Sequence, residues 1–152
     1  MPPTIPYPPR THPAERSYLS YGLGIERLLS ESFDRNRVTE LRHLVASCAE
    51  AAGLADGRLE DFVVAVNELL TNAVRHGGGS GQVELWREDG SVVCEVVDRG
   101  TGLADPRPDR PARPTANEPG GWGLWLAGEL TDKIDIQTGA EGTTVRISTR
   151  GS

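Results

Sequence analysis

Lysine is nearly missing from this chain: of its 16 basic residues only Lys133 is one, and the rest are arginines. Acidic residues outnumber basic ones, and the net charge of −6 excludes a broad role in binding nucleic acid, which calls for a basic face. Cysteine is scarce. Cys48 and Cys94 stand far apart in apolar-patterned segments, without metal-ligand spacing, which excludes a disulfide scaffold and a zinc site and fits small core residues in a reducing, cytoplasmic setting. Aromatics make up only 5% of the chain, so the core must be built mainly from aliphatic side chains. No apolar run approaches the ~20 residues of a membrane-spanning helix.

What the sequence does hold is uneven along its length. Six of the 11 prolines fall in residues 1–14, a composition of extended tails rather than of a secretion signal. Residues 1–32 are expected to form a Pro-rich, partly disordered extension, and residues 33–150 one folded domain, with Phe33 at its start. Within 18–33 the apolar residues Tyr18, Leu19, Tyr21, Leu23, Ile25, Leu28 and Leu29 fit a short helix or a first strand.

Helical periodicity begins at Val38. Leu41, Leu44, Val45, Cys48 and Ala52 share a stripe, and Gly53 is a reasonable stop. A second helix is expected over 58–75, with Leu59, Phe62, Val63, Val66, Leu69, Leu70 and Ala73 facing the core, ended by His76 and three glycines. Strands at 82–87 and 92–98 flank the hairpin signal Asp89-Gly90. Residues 103–119 carry five prolines and three arginines with no period, a long loop by the standard of compact domains. A short helix from Gly123 to Leu130 and a closing hairpin of 133–137 and 143–148 complete the pattern. The expected fold is α+β, with helices on one face of a mixed, mainly antiparallel sheet.

Three segments carry chemistry. Glu68 and Asn72 lie four residues apart and so share a face of the second helix, away from its apolar stripe. A pair of this kind can be a solvated face, but Asn is a poor choice inside a helix. An amide oxygen is a ligand suited to Mg²⁺ beside phosphates, and a carboxylate can take a proton from an attacking hydroxyl. Asp98 ends an apolar strand. It can simply start a turn with Arg99-Gly100, or accept a hydrogen bond from the exocyclic amine of adenine, selecting ATP over GTP. Gly100 and Gly102 would then let the backbone pass close to the base. Gly120, Gly121 and Gly123 precede the apolar helix start Leu124-Trp125, where free backbone amides favour an anion, unless the segment is only a flexible loop end. No Walker lysine or dinucleotide fingerprint accompanies them. His76 follows Glu68 and Asn72 on one stripe and is read as a helix-terminal histidine. Trp122 and Trp125 are read as core before interface or a cover over the nucleotide, and Arg107, Arg110 and Arg113 as solvated loop charges before phosphate contacts made on loop closure.

The ordered set Glu68-Leu69-Leu70-Thr71-Asn72-Ala73, Asp98-Arg99-Gly100-Thr101-Gly102 and Gly120-Gly121-Trp122-Gly123-Leu124 resembles the N, G1 and G2 boxes of the GHKL (Bergerat-fold, HATPase_c) ATPases. Within that superfamily, Val66–Gly77 is similar to the N box of the small anti-sigma factor serine kinases of partner-switching modules. The resemblance implies a general-base role for Glu68, Mg²⁺ coordination by Asn72 and adenine recognition by Asp98 with Gly100 and Gly102. It also implies a phosphate-side turn of Gly121, Gly123 and Leu124, a Thr143 hydroxyl supporting Asp98, and an ATP lid over 103–119. By the same resemblance ATP and Mg²⁺ are the cofactors, and a sigma factor and a STAS-domain anti-anti-sigma protein are the partners. A homodimer is implied as well, with neither nucleic acid nor membrane bound directly. Trp122 departs from the pattern, since relatives often carry a polar residue there. This keeps in view a regulator that binds ATP without turnover, or binds only partners. A detached histidine-kinase catalytic domain is a third reading, but such domains usually carry Asn at the position of Glu68.

Overall fold

The computed structural model describes residues 24–100 and 122–151. Among these, nine elements follow in order: β1 (Ile25–Asp34), a 3-10 turn (Arg35–Arg37), α1 (Val38–Ala51), α2 (Asp56–His76), β2 (Ser80–Glu88), β3 (Ser91–Asp98), α3 (Trp122–Leu130), β4 (Lys133–Gly139) and β5 (Gly142–Arg150). The strands form one open sheet in the order β1-β2-β3-β5-β4, and each pairing among the described residues is antiparallel. The expected α+β class holds, with three helices against a five-stranded sheet.

The core lies between the helices and one face of the sheet. Strand residues enter it by alternation: Val83 and Leu85 from β2, Val92, Cys94 and Val96 from β3, Val145 and Ile147 from β5. From α2 come Phe62, Ala65, Val66, Leu69, Leu70 and Ala73, all essentially without exposure. This helix has α1 on one side and α3 on the other, so it carries the broadest apolar face. Burial pushes the Cys94 thiol far above its ordinary range, with the nearby Glu95 and Glu84 charges acting in the same direction, so it is an inert core residue.

Three expectations change. The folded body does not begin at Phe33, because β1 runs from Ile25 and pairs along its length with β2. The strand reading of this stretch is the right one, and the expected boundary cuts through it. In α1 the buried line is Leu41, Val45 and Ala49, while Leu44 is exposed, since α1 is covered along a narrow stripe only. Cys48 is half-buried at that stripe's margin. The Asp89-Gly90 turn has φ of 50° and 80°, the left-handed pair that a two-residue hairpin requires, as its sequence foretells.

Asp132, just before β4, ties the start of α2 to the end of the sheet. Its Oδ2 accepts the Arg150 backbone N–H at 2.8 Å and an Arg58 guanidinium N–H at 3.2 Å. The Arg150 amide, helped by Arg58 and opposed by slight burial, holds the Asp132 carboxyl below the ordinary carboxylate range. A group depressed in this way stabilises the fold above its unfolded value, near 3.9, and loses that contribution as pH falls through the lower folded value. Asp132→Asn is therefore expected to lower stability at pH 7 by less than about 1 kcal/mol, since the pair is half exposed. Paired urea titrations at pH 7 and under acid should show the gap between wild type and variant closing at the acid end.

Candidate functional site

The end of α2 and the end of β3 meet at glycines. Gly77, the first residue beyond α2, donates its N–H to the Ala73 carbonyl at 2.8 Å and closes the last turn. A Cβ there would lie 2.3 Å from the Asp98 Cγ and 2.6 Å from the Ala73 carbonyl oxygen. Gly100 is pressed against the same spot, where a Cβ would come 2.7 Å from the Gly77 Cα and 3.0 Å from the His76 carbonyl oxygen. On the far side Gly142 opens β5 at φ +131°, with space for a Cβ denied by the Asp98 carbonyl at 2.1 Å. Three glycines thus crowd around Asp98: Gly77 against its carboxylate, Gly142 against its backbone carbonyl, and Gly100 against Gly77.

That carboxylate is buried and oriented by backbone. Asp98 Oδ1 accepts the Gly100 N–H at 2.9 Å and the Thr143 N–H at 3.2 Å. Oδ2 lies beside Gly77 and has no hydrogen bond among the described residues. The Thr143 hydroxyl does not support Asp98. It shares a hydrogen bond of 2.9 Å with the Thr138 hydroxyl across the β4–β5 pair, and the support comes from the Thr143 backbone instead.

Glu68 and Asn72 stand one turn apart on α2, both half-buried, and neither makes a hydrogen bond or ion pair among the described residues. Their face is not simply a solvated one. A Cβ on Gly123, in the first turn of α3, would sit 2.7 Å from Glu68 Oε2. A larger residue at position 123 would have to displace the end of the Glu68 side chain. The site residues are therefore distributed along one ridge: Glu68 against the start of α3, Asn72 a turn further, then Gly77 against Asp98.

Other expected site residues fall differently. Leu124 sends its side chain into the core, so only its backbone can serve the turn. Trp122 is not core: it is 37% exposed and meets Trp125 edge-on, with ring centroids 5.6 Å apart. His76 is exposed at the end of α2. Gly102, Gly121 and the expected lid at 103–119, with its arginines, lie outside the described residues. Gly77 and Thr138 are structural partners that the sequence reading does not assign to the site; the position of Gly77 directly after the helix is the available signal.

Residues 32–149 match the family model described as histidine kinase-like ATPase domain. No curated protein matches the chain. Among solved structures, the chain is similar to the RsbU and RsbW domains of Rv1364c from Mycobacterium tuberculosis, at 26% identity and a TM-score of 0.62. The match covers 81% of this chain and 31% of that one, so the chain spans less than a third of that relative's length. It is also similar to the histidine kinase domain of the blue-light-activated kinase from Erythrobacter litoralis EL346, at 22% identity and a TM-score of 0.49, covering 72% of this chain and 64% of the other. A third likeness is to the Acinetobacter baumannii histidine kinase AdeS, at 16% identity and a TM-score of 0.49, covering 91% and 75%.

The crowding of glycines around Asp98 is open to a direct test. Gly142→Ala should lower stability by more than about 1 kcal/mol, because it meets both a strained φ and the Asp98 carbonyl. Gly139→Ala, on the other side of the same turn, has free space around its Cβ and should change little. Urea unfolding of the two variants side by side separates these outcomes.

Proposed function

The chain belongs to the histidine kinase-like ATPase domain family, and from that membership we propose that it is an ATP-dependent protein-serine kinase and anti-sigma factor. In this reading it phosphorylates a serine on a STAS-domain anti-anti-sigma protein. It holds a sigma factor while that antagonist is phosphorylated, and it works in the cytoplasm as a homodimer. The observation that carries the reading is the Glu68 carboxylate, without a hydrogen bond or ion pair among the described residues, set one turn before Asn72 on α2 and against the start of α3. The likeness to a protein whose solved domains include one named RsbW supports it, as does the N-box text of Val66–Gly77.

The residues present fit a bound adenine nucleotide. Asp98 offers one oxygen, held in place through the other, within walls where side chains would collide. Its Oδ2 would accept the exocyclic amine of adenine, and would meet a carbonyl if guanine were presented instead. The Asn72 amide oxygen would hold Mg²⁺, which as a hard cation needs few protein ligands beside phosphate. ATP, when bound, supplies the phosphoryl group. Glu68 would take the proton of the partner's serine hydroxyl as its oxygen attacks. Gly123 keeps the approach clear.

Trp122 favours a second reading. An exposed indole at the second glycine box, where a polar residue is usual, suits a module that binds nucleotide or partners without turnover. Calorimetric titration with ATP and GTP, with and without Mg²⁺, followed by phosphotransfer to a STAS protein, separates the two. Under the kinase reading, Glu68→Ala keeps ATP binding while phosphotransfer falls about 10²–10⁴-fold. Unchanged transfer would rule out the general-base role. Asp98→Asn should weaken ATP more than GTP, and equal losses would indicate a folding effect.

A further inference from the structure

The face of the sheet turned away from the helices is covered. Along β2, β3 and β5 the residues alternating with the core are Glu84 and Trp86, Val93 and Glu95, and Thr144, Arg146 and Ser148. Among the described residues no helix lies on this side. Yet Trp86 and Val93 are each 2% exposed, Glu95 is 1% exposed, and Glu84, Arg146 and Ser148 are buried too. Ile25, the first residue of β1, joins Trp86 and Val93 in a separate apolar cluster here. Neighbouring side chains account for part of this. Arg146 lies over the Trp86 ring at 5.3 Å and donates from Nε to Glu95 at 2.9 Å. A tryptophan on an uncovered sheet face nevertheless keeps far more of its surface, since its size makes complete burial rare.

We propose that this outer face is a docking surface for residues 1–23 of the same chain, bound in cis. Two observations select this segment over residues 101–121. The first is continuity. Residues 1–23 lead through Gly24, at φ +69°, directly into Ile25 of the outer cluster. Residues 101–121 instead connect Gly100, which lies against the end of α2, to the start of α3, where Gly123 lies beside Glu68. The second is composition. An apolar and aromatic face needs apolar side chains over it. Residues 1–23 offer Ile5, Tyr7, Tyr18, Leu19, Tyr21 and Leu23, whereas 101–121 has Leu103 as its one large apolar residue. Charge agrees as well. Glu84 and Glu95 stand directly opposite each other, with Arg146 next across the sheet. Residues 1–23 carry two arginines and one glutamate in a chain of net charge −6. The proposal does not depend on kinase activity. It does mean that any partner using this face must displace the segment.

The sequence provides its own probes. All three tyrosines of the chain lie in residues 1–23, and W122F/W125F leaves Trp86 as the single tryptophan. In that full-length variant, Trp86 should emit at short wavelength, resist acrylamide quenching and be sensitised by tyrosine excitation, independently of protein concentration. Adding L19D/L23D should shift the emission to the red and raise quenching severalfold, with far-UV circular dichroism unchanged. A quenchable Trp86 in the parent variant would overturn the proposal, as would absent tyrosine sensitisation. Shielding lost on dilution would point to a second copy as the cover, and shielding that survives L19D/L23D would point to residues 101–121. If L19D/L23D fails to fold, sensitisation in the parent variant decides.

Discussion

The contact on which the site depends is the approach of the end of α2 to the end of β3. Gly77 and Gly100 bring the two backbones so near that no side chain fits between them, and the Asp98 carboxyl is held in the remaining space. The approach fixes where α2 lies along the sheet, and so where Glu68 and Asn72 stand relative to Asp98. It also explains the size of the helix's apolar face. A helix pinned at its C-terminal end by steric fit needs broad burial along its length to keep its axis, and Phe62, Val66 and Leu69 supply it. The N-terminal end is tied more lightly, by Arg58 to Asp132.

Much of this was legible in the sequence because local signals agreed with one another. Asp89-Gly90 marked a hairpin whose backbone adopts the expected left-handed pair, and the 3.6-residue period of α2 matched its buried face. The order of the three segments at 68–73, 98–102 and 120–124 carried the resemblance to the family's boxes. β1 was harder to read. A shift in pairing between Arg27 and Leu29 interrupts the alternation, so Leu28 and Leu29 stand side by side and the strand loses its period of two. Thr143 was misread because its hydroxyl answers to Thr138, a partner visible only once β4 and β5 are aligned. The outer face was hidden for a similar reason. Glu84, Glu95 and Arg146 look like solvated charges one by one, and their mutual burial is a property of the register.

The two faces of the sheet rest on different physics. The helix side is dry and aliphatic, and its specificity comes from close packing. The other side sets an ion pair of Glu95 and Arg146 beside an indole. Buried ion pairs contribute little net stability once desolvation is counted, but they are intolerant of misplacement. Such a face discriminates strongly among the segments that can lie on it, because an ill-matched one leaves charge without an answer.

The closeness of Gly123 to Glu68 has a mechanical meaning. A methyl group at position 123 would fall 2.7 Å from Glu68 Oε2, at the free end of a flexible side chain. The carboxylate would give way before the helix, so even the smallest side chain at position 123 would be registered as a different rotamer of Glu68.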